Sequence, residues 1–152
     1  MKYYAVIDTN VIVSSMLKGT SIPGIIVAKA LDGPIIPLLN EEILQEYKEV
    51  LSRNKFGLDE EAIEGLIESL KHRAIFLDRT ESEEIFPDPD DAVFYEIVIT
   101  ARSATDAYLI TGNIKHYPIK SFVVTPHEML DIIEKDEDDN SKESEKKEEC
   151  SR

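Results

Sequence analysis

Tyr4, Ala5, Val6 and Ile7 form a nearly unbroken apolar run behind Lys2, the pattern of a short strand covered on both faces. The run stops at Asp8-Thr9-Asn10, a cluster suited to cap the helix that VIVSSMLKG predicts, with Gly19 as its stop. A second helical stretch, IPGIIVAKALDG, closes at Asp32-Gly33, and PIIPLL reads as a second strand. Asn40 is placed to cap EEILQEYKEVLSR, where Ile43, Leu44, Tyr47, Val50 and Leu51 recur at helical spacing. Residues Asp59 to Lys71 repeat that spacing through Ile63, Leu66, Ile67 and Leu70, before the strand AIFL ends at Asp78. After the loop ESEEIFPDPD come the helix AVFYEIVITAR, the strand AYLITGN, the short strand SFVVT and the helix PHEMLDIIEK.

Strands that alternate with helices in this way predict a three-layer α/β/α sandwich, Rossmann-like, with a mostly parallel central sheet. Such sheets bind ligands beyond the carboxyl ends of their strands, so the site is expected among strand-end residues. From Lys135 onward the chain holds no aliphatic or aromatic residue and cannot repay the entropy of ordering. The expected organisation is one domain over residues 1–134 and a disordered acidic tail over 135–152. No internal repeat interrupts it.

Charge complicates any role with nucleic acid. The formal net charge is −14, whereas proteins that hold phosphate by simple attraction display a basic face. Residues 135–152 carry eight acidic and five basic side chains, which leaves −11 on the folded part. Acid gathered into one pocket can be neutralised by divalent cations, reversing the field where a phosphate must sit. The one cysteine, Cys150, excludes an intramolecular disulfide and a thiolate zinc cluster, so a metal must be held by oxygen or histidine. No apolar run reaches the roughly 18 residues of a membrane span, and MKYYAVIDTN lacks the segments of a secretory signal. A soluble cytoplasmic protein with no membrane partner is expected.

Strand-end geometry singles out a set of oxygen donors. Asp8 closes the first strand, Glu46 lies one turn inside a helix, Asp88, Asp90 and Asp91 open another helix, and Asn113 closes a later strand in Thr111-Gly112-Asn113. Hard ions such as Mg²⁺ or Mn²⁺ take oxygen ligands and keep several waters, so converging carboxylates and an amide suit them. With such an ion the cluster can position a water for in-line attack on a phosphodiester.

VIDTNVIVSSML, LQEYKEVLSR, PDPDDAVFYEIVITA, AYLITGN and FVVTPHEML resemble the successive motifs of the PIN-domain family, over roughly residues 3 to 133. The likeness is greatest to toxin components of toxin–antitoxin pairs, related to VapC-like ribonucleases. The resemblance implies a metal-dependent RNA endonuclease with Asp8, Glu46 and Asp91 as catalytic, metal-holding acids. Asp91 is preferred as the third acid because it directly precedes Ala92 and the helix, with Asp88 a further ligand or the helix cap. Where many relatives carry an aspartate after Thr-Gly, this chain has Asn113, a usable ligand that lowers the local charge and favours one tightly held ion over two. Thr9, Asn10, Thr111, Lys115 and His116 are then the candidate contacts to RNA. A cognate antitoxin that occludes the pocket, and a homodimer, are also implied.

Each residue has a plainer reading. Asp8 alone is an ordinary helix cap, Glu46 shares its helix with the solvated Glu41, Glu42 and Glu49, and the DPDD segment is a capped loop stiffened by Pro89. Asp106 begins a strand, at the wrong end for the site, and Asp78 reads as a loop residue. His72 and His127 show no metal-ligand spacing. Two other functions fit parts of the pattern. One is a non-catalytic PIN-fold module that binds RNA, and the other is a receiver-type signalling domain phosphorylated on Asp78.

Overall fold

A computed structural model describes residues 1–150, with side chains through Asp139. Five parallel strands form the central sheet: β1 (Tyr3–Ile7), β2 (Ile35–Leu39), β3 (Ile75–Phe76), β4 (Ala107–Ile110) and β5 (Val123–Val124), in the order β3-β2-β1-β4-β5. Six helices cover the sheet: α1 (Thr9–Leu17), α2 (Ile22–Asp32), α3 (Glu41–Leu51), α4 (Glu60–Arg73), α5 (Ala92–Arg102) and α6 (Pro126–Cys150). This is the three-layer α/β/α sandwich that the alternating pattern predicts. The apolar run of β1 is buried because α5 packs across β1, β2 and β4, while α2 packs on β2 and against α1, α4 and α6.

Caps set the helix starts as the sequence suggests. Asp8 accepts from Asn10 N, and Asn40 Oδ1 accepts from Ile43 N at 2.8 Å. At α6, Thr125 and Glu128 bond each other's backbone N–H at 3.1 Å, a capping box in front of an N-terminal proline.

Pro37 sits inside β2, where a proline removes a ladder donor. The parity of the ladder explains it. Pro34 O accepts from Tyr3 N on the β1 side, and Leu39 O accepts from Leu77 N on the β3 side. Pro37 shares the parity of Leu39, so its missing N–H faces β3 at a position before pairing begins at Leu38↔Ile75. The expected strand AIFL is reduced to the two residues of β3, both exposed at the sheet edge, and its first residue, Ala74, still donates to Leu70 O as the C-cap of α4. The expected strand AYLITGN also stops early, at Ile110, because the Thr111 hydroxyl accepts from Asn113 N and turns the chain into a 3₁₀ turn, Ile114–His116.

The backbone of α6 runs on past residue 135 without a break at the expected boundary of the acidic tail. A run rich in Glu and Lys has good intrinsic helix propensity. Asp136 accepts from Tyr3 Oη at 2.9 Å, and residues 151–152 of the expected tail lie outside the described residues. Among the described residues no single helix is long and apolar enough to cross a membrane.

Candidate metal and phosphodiester site

The strand order reverses direction at β1, whose neighbours β2 and β4 are reached by connections running opposite ways. A crevice opens at such a switch point, beyond the carboxyl ends of the two strands. Asp8 follows β1 and Thr111 follows β4, and the backbone joins them through Asp8 N donating to Ile110 O at 2.9 Å. Asn10 Oδ1 accepts from Gly112 N at 3.0 Å. A Cβ on Gly112 would stand 3.1 Å from that oxygen, so the close approach favours glycine there.

Asp8 is buried, yet no Lys or Arg pairs with it among the described residues. Its Oδ2 instead accepts from two hydroxyls, Thr111 Oγ1 at 2.8 Å and Tyr117 Oη at 2.9 Å. Burial first, then the charges of Asp8 and Asp91, raise the Tyr117 phenol far above the ordinary range, which keeps it protonated and a donor. Tyr47 anchors α3 to the end of β1 by donating its buried hydroxyl to Ile7 O. That contact brings Glu46, the preceding residue, beside Asp8, and Thr9 Oγ1 donates to Glu46 Oε2 at 2.6 Å. The Glu46 carboxyl is raised above its usual range, by burial first, then by Asp8, Asp91 and Asp90, against the lowering bond from Thr9.

Asp91 enters from a third element. Pro89–Asp91 form a 3₁₀ turn that runs into α5, and the turn is capped by Asp88 Oδ1 accepting from Asp90 N at 3.0 Å. Packing of Phe94 on Tyr47, 6.4 Å between ring centres, ties α5 to α3 and so Asp91 to Glu46. Burial first, then Asp8 and Asp88, push the Asp91 carboxyl up to about 6, with His116 pulling it down. His116 Nδ1 lies 3.2 Å from Asp91 Oδ2 but without hydrogen-bond geometry, which leaves that buried oxygen with no donor. The other ring nitrogen of His116 lies 2.9 Å from Asn113 Nδ2, so histidine links the amide to the third acid.

The structure thus draws the three acids together closely enough that the charges of Asp8 and Asp91 raise the Glu46 carboxyl and that of Asp8 raises the Asp91 carboxyl, with Asn113 linked through His116. It does not close them into a cage: among the described residues no three His, Cys, Asp or Glu side chains form a ready-made metal cluster. The donor set still fits a hard divalent cation. All three are carboxylates, they repel one another, and one buried oxygen, Asp91 Oδ2, accepts no hydrogen bond and has only His116 Nδ1 beside it at 3.2 Å.

Several expected roles shift. Thr111, expected at the RNA, is fully buried with its hydroxyl committed to Asp8, and it orients a carboxylate. Thr9 is buried on Glu46 and does the same. Asn10 and Lys115 are exposed and His116 is partly so. Asp88 is exposed and caps the turn. Asp78 follows the edge strand β3, two strands from β1, so a phosphoacceptor there does not meet Asp8, contrary to the receiver reading. Asp106 precedes β4 at the opposite end, and His127 pairs with Asp131 on α6. Tyr117 and Tyr47 escaped the sequence reading, since each looks like an ordinary core aromatic and only contacts across 109 and 40 residues reveal their hydroxyls' targets.

Residues 4–115 match the PIN domain, and the chain belongs to that family. PIN domains are typically nucleases and generally use divalent metal ions. No curated protein and no solved structure matches the chain.

Proposed function

We propose that this protein is a Mg²⁺- or Mn²⁺-dependent endoribonuclease that hydrolyses RNA phosphodiesters through Asp8, Glu46 and Asp91. The observation that carries the reading is the convergence of three acids from β1, α3 and the start of α5, each raised or held by its neighbours, with Asp91 Oδ2 buried and without a donor. When bound, a divalent cation supplies charge neutralisation at phosphorus and polarisation of the attacking water. The residues themselves do the holding. Thr111 and Tyr117 fix Asp8, Thr9 fixes Glu46, and the capped 3₁₀ turn fixes Asp91.

Two cavities flank the acids. One, of about 540 Å³, is lined by Glu41, Glu42, Glu46, Glu49 and Asp90, with Arg79 as its one cation. The other, of about 280 Å³, is lined by Asn10, Ser14, Gly112 and Asn113 with apolar neighbours and no charged residue. Phosphate is repelled by the first and tolerated by the second, so the RNA strand is assigned to the Asn10–Asn113 side, with Lys115 and His116 beside it. Asp88 and Asn113 complete the proposed oxygen set around the ion.

The test is incubation of the full chain with a mixed RNA pool and Mn²⁺ or Mg²⁺, beside EDTA and Asp8→Asn controls. Cleavage abolished by both controls is expected, with a loss of at least about 100-fold for the variant. Metal binding without any cleavage would instead favour a non-catalytic RNA-binding PIN module, which the high negative charge and the unclosed acid set also suit. The reading extends to the toxin of a toxin–antitoxin pair, acting as a homodimer in the cytoplasm. Detection of a small adjacent reading frame that encodes a DNA-binding antitoxin would support that extension, and its absence would count against it.

A further inference from the structure

Asp8 meets its two hydroxyl donors on the same oxygen. Thr111 Oγ1 lies 2.8 Å and Tyr117 Oη 2.9 Å from Oδ2, while among the described residues Oδ1 receives only the long 3.4 Å contact from Asn10 N. A carboxylate oxygen offers two lone pairs, so Oδ2 is saturated and Oδ1 is the oxygen left for a ligand. Both donors are neutral, so they orient the carboxylate without cancelling its charge. We infer that Tyr117 is a positioning residue for the metal, locking the Asp8 carboxylate so that Oδ1 faces the cation.

The surroundings of Tyr117 serve that role. Its ring is buried and met edge-on by Phe86, 6.3 Å between centres, and Phe86 packs in the same way on Tyr95 of α5 at 5.5 Å. Phe86 stands two residues before Asp88, in the segment that leads to Asp91. The ring that steadies Asp8 therefore also seats the approach to the third acid. Tyr117 N donates to Ile114 O at 3.1 Å and closes the 3₁₀ turn that carries His116. Among the described residues its hydroxyl has no other partner, and a buried phenol requires one.

The inference rests on the metal reading above, and its test separates the two. Mn²⁺ affinity of the full chain is measured by calorimetry and by the paramagnetic signal of free Mn²⁺, well below every variant's melting temperature in EDTA. Tyr117→Phe keeps the ring and removes only the donor, and Thr111→Val removes the other donor should the first variant fold poorly. Each is expected to weaken Mn²⁺ binding by about tenfold, the scale of lost support to a metal ligand, while Thr111→Ser restores a hydroxyl and stays within about threefold of the parent. Variants that fold and bind Mn²⁺ as the parent does overturn the positioning role and leave the metal reading standing. A parent that binds no Mn²⁺ overturns both.

Discussion

Asp91 and Glu46 are held in the fold at a cost in ionisation free energy, and that cost sets a pH dependence. The Asp91 carboxyl titrates at about 6 in the folded chain, against about 3.9 when unfolded. Between those values the native state binds more protons than the unfolded state, so stability is highest at the acid end and falls as pH rises through the window. Glu46 is shifted in the same direction and adds to it. A cation among the carboxylates replaces the proton. Mn²⁺ is therefore expected to raise the melting temperature at about pH 7.5 far more than at about pH 5, and Asp91→Asn to raise the metal-free value at the higher pH while abolishing the Mn²⁺ response. Scanning fluorimetry across this range in EDTA and in Mn²⁺ decides it. A metal-free profile that rises from acid to neutral pH contradicts the assigned repulsion.

Among the elements, the long segment between β3 and α5 is tied down largely by side-chain contacts, with Arg79 joining it to two helices at once. Arg79 donates through Nε to Glu96 Oε2 at 2.5 Å and through Nη1 to Glu42 Oε2 at 2.7 Å, joining that segment to α5 and α3. Glu96 is only 7% exposed, and its other oxygen accepts from Ser82 N at 3.2 Å. Arg79→Ala leaves that carboxylate buried with a single donor. Because the Arg79 side chain is 36% exposed, the expected loss is about 2 kcal/mol, below the roughly 3–5 kcal/mol of a fully buried pair. Urea denaturation measures it, and replacing Glu96 by Leu in the same background should recover part of the loss. An unchanged midpoint for Arg79→Ala would show that other contacts hold the segment.

At the scale of the whole molecule, charge and catalysis pull in opposite directions. A net charge of −14 leaves few phosphate contacts, so RNA binding by the Asp8→Asn chain should weaken only slightly with salt, with a log–log slope of magnitude below about 2. Filter binding between low and physiological salt gives the slope, and a steep one would reveal a basic surface that the sequence conceals.

Much of the fold was legible in the sequence because its signals are local: an apolar run, an Asx cap or an amphipathic repeat needs only its own neighbours. Asp8 stood out for the same reason, as the residue where a strand run meets a helix cap. Contacts between distant residues were not legible. Thr111 and Tyr117 lie 103 and 109 residues from the carboxylate they hold, and their residue types fit core or substrate roles equally well. Where β3 begins depended on the last turn of α4, which keeps the Ala74 N–H, and where that helix stops is settled by its packing on β2. The sequence by itself determined the order of elements, the parallel sandwich and the supply of carboxylates at strand ends. Only the tertiary structure decided which hydroxyl steadies which acid and which oxygen is left free, because hydrogen-bond direction is fixed by packing and leaves no periodic trace along the chain.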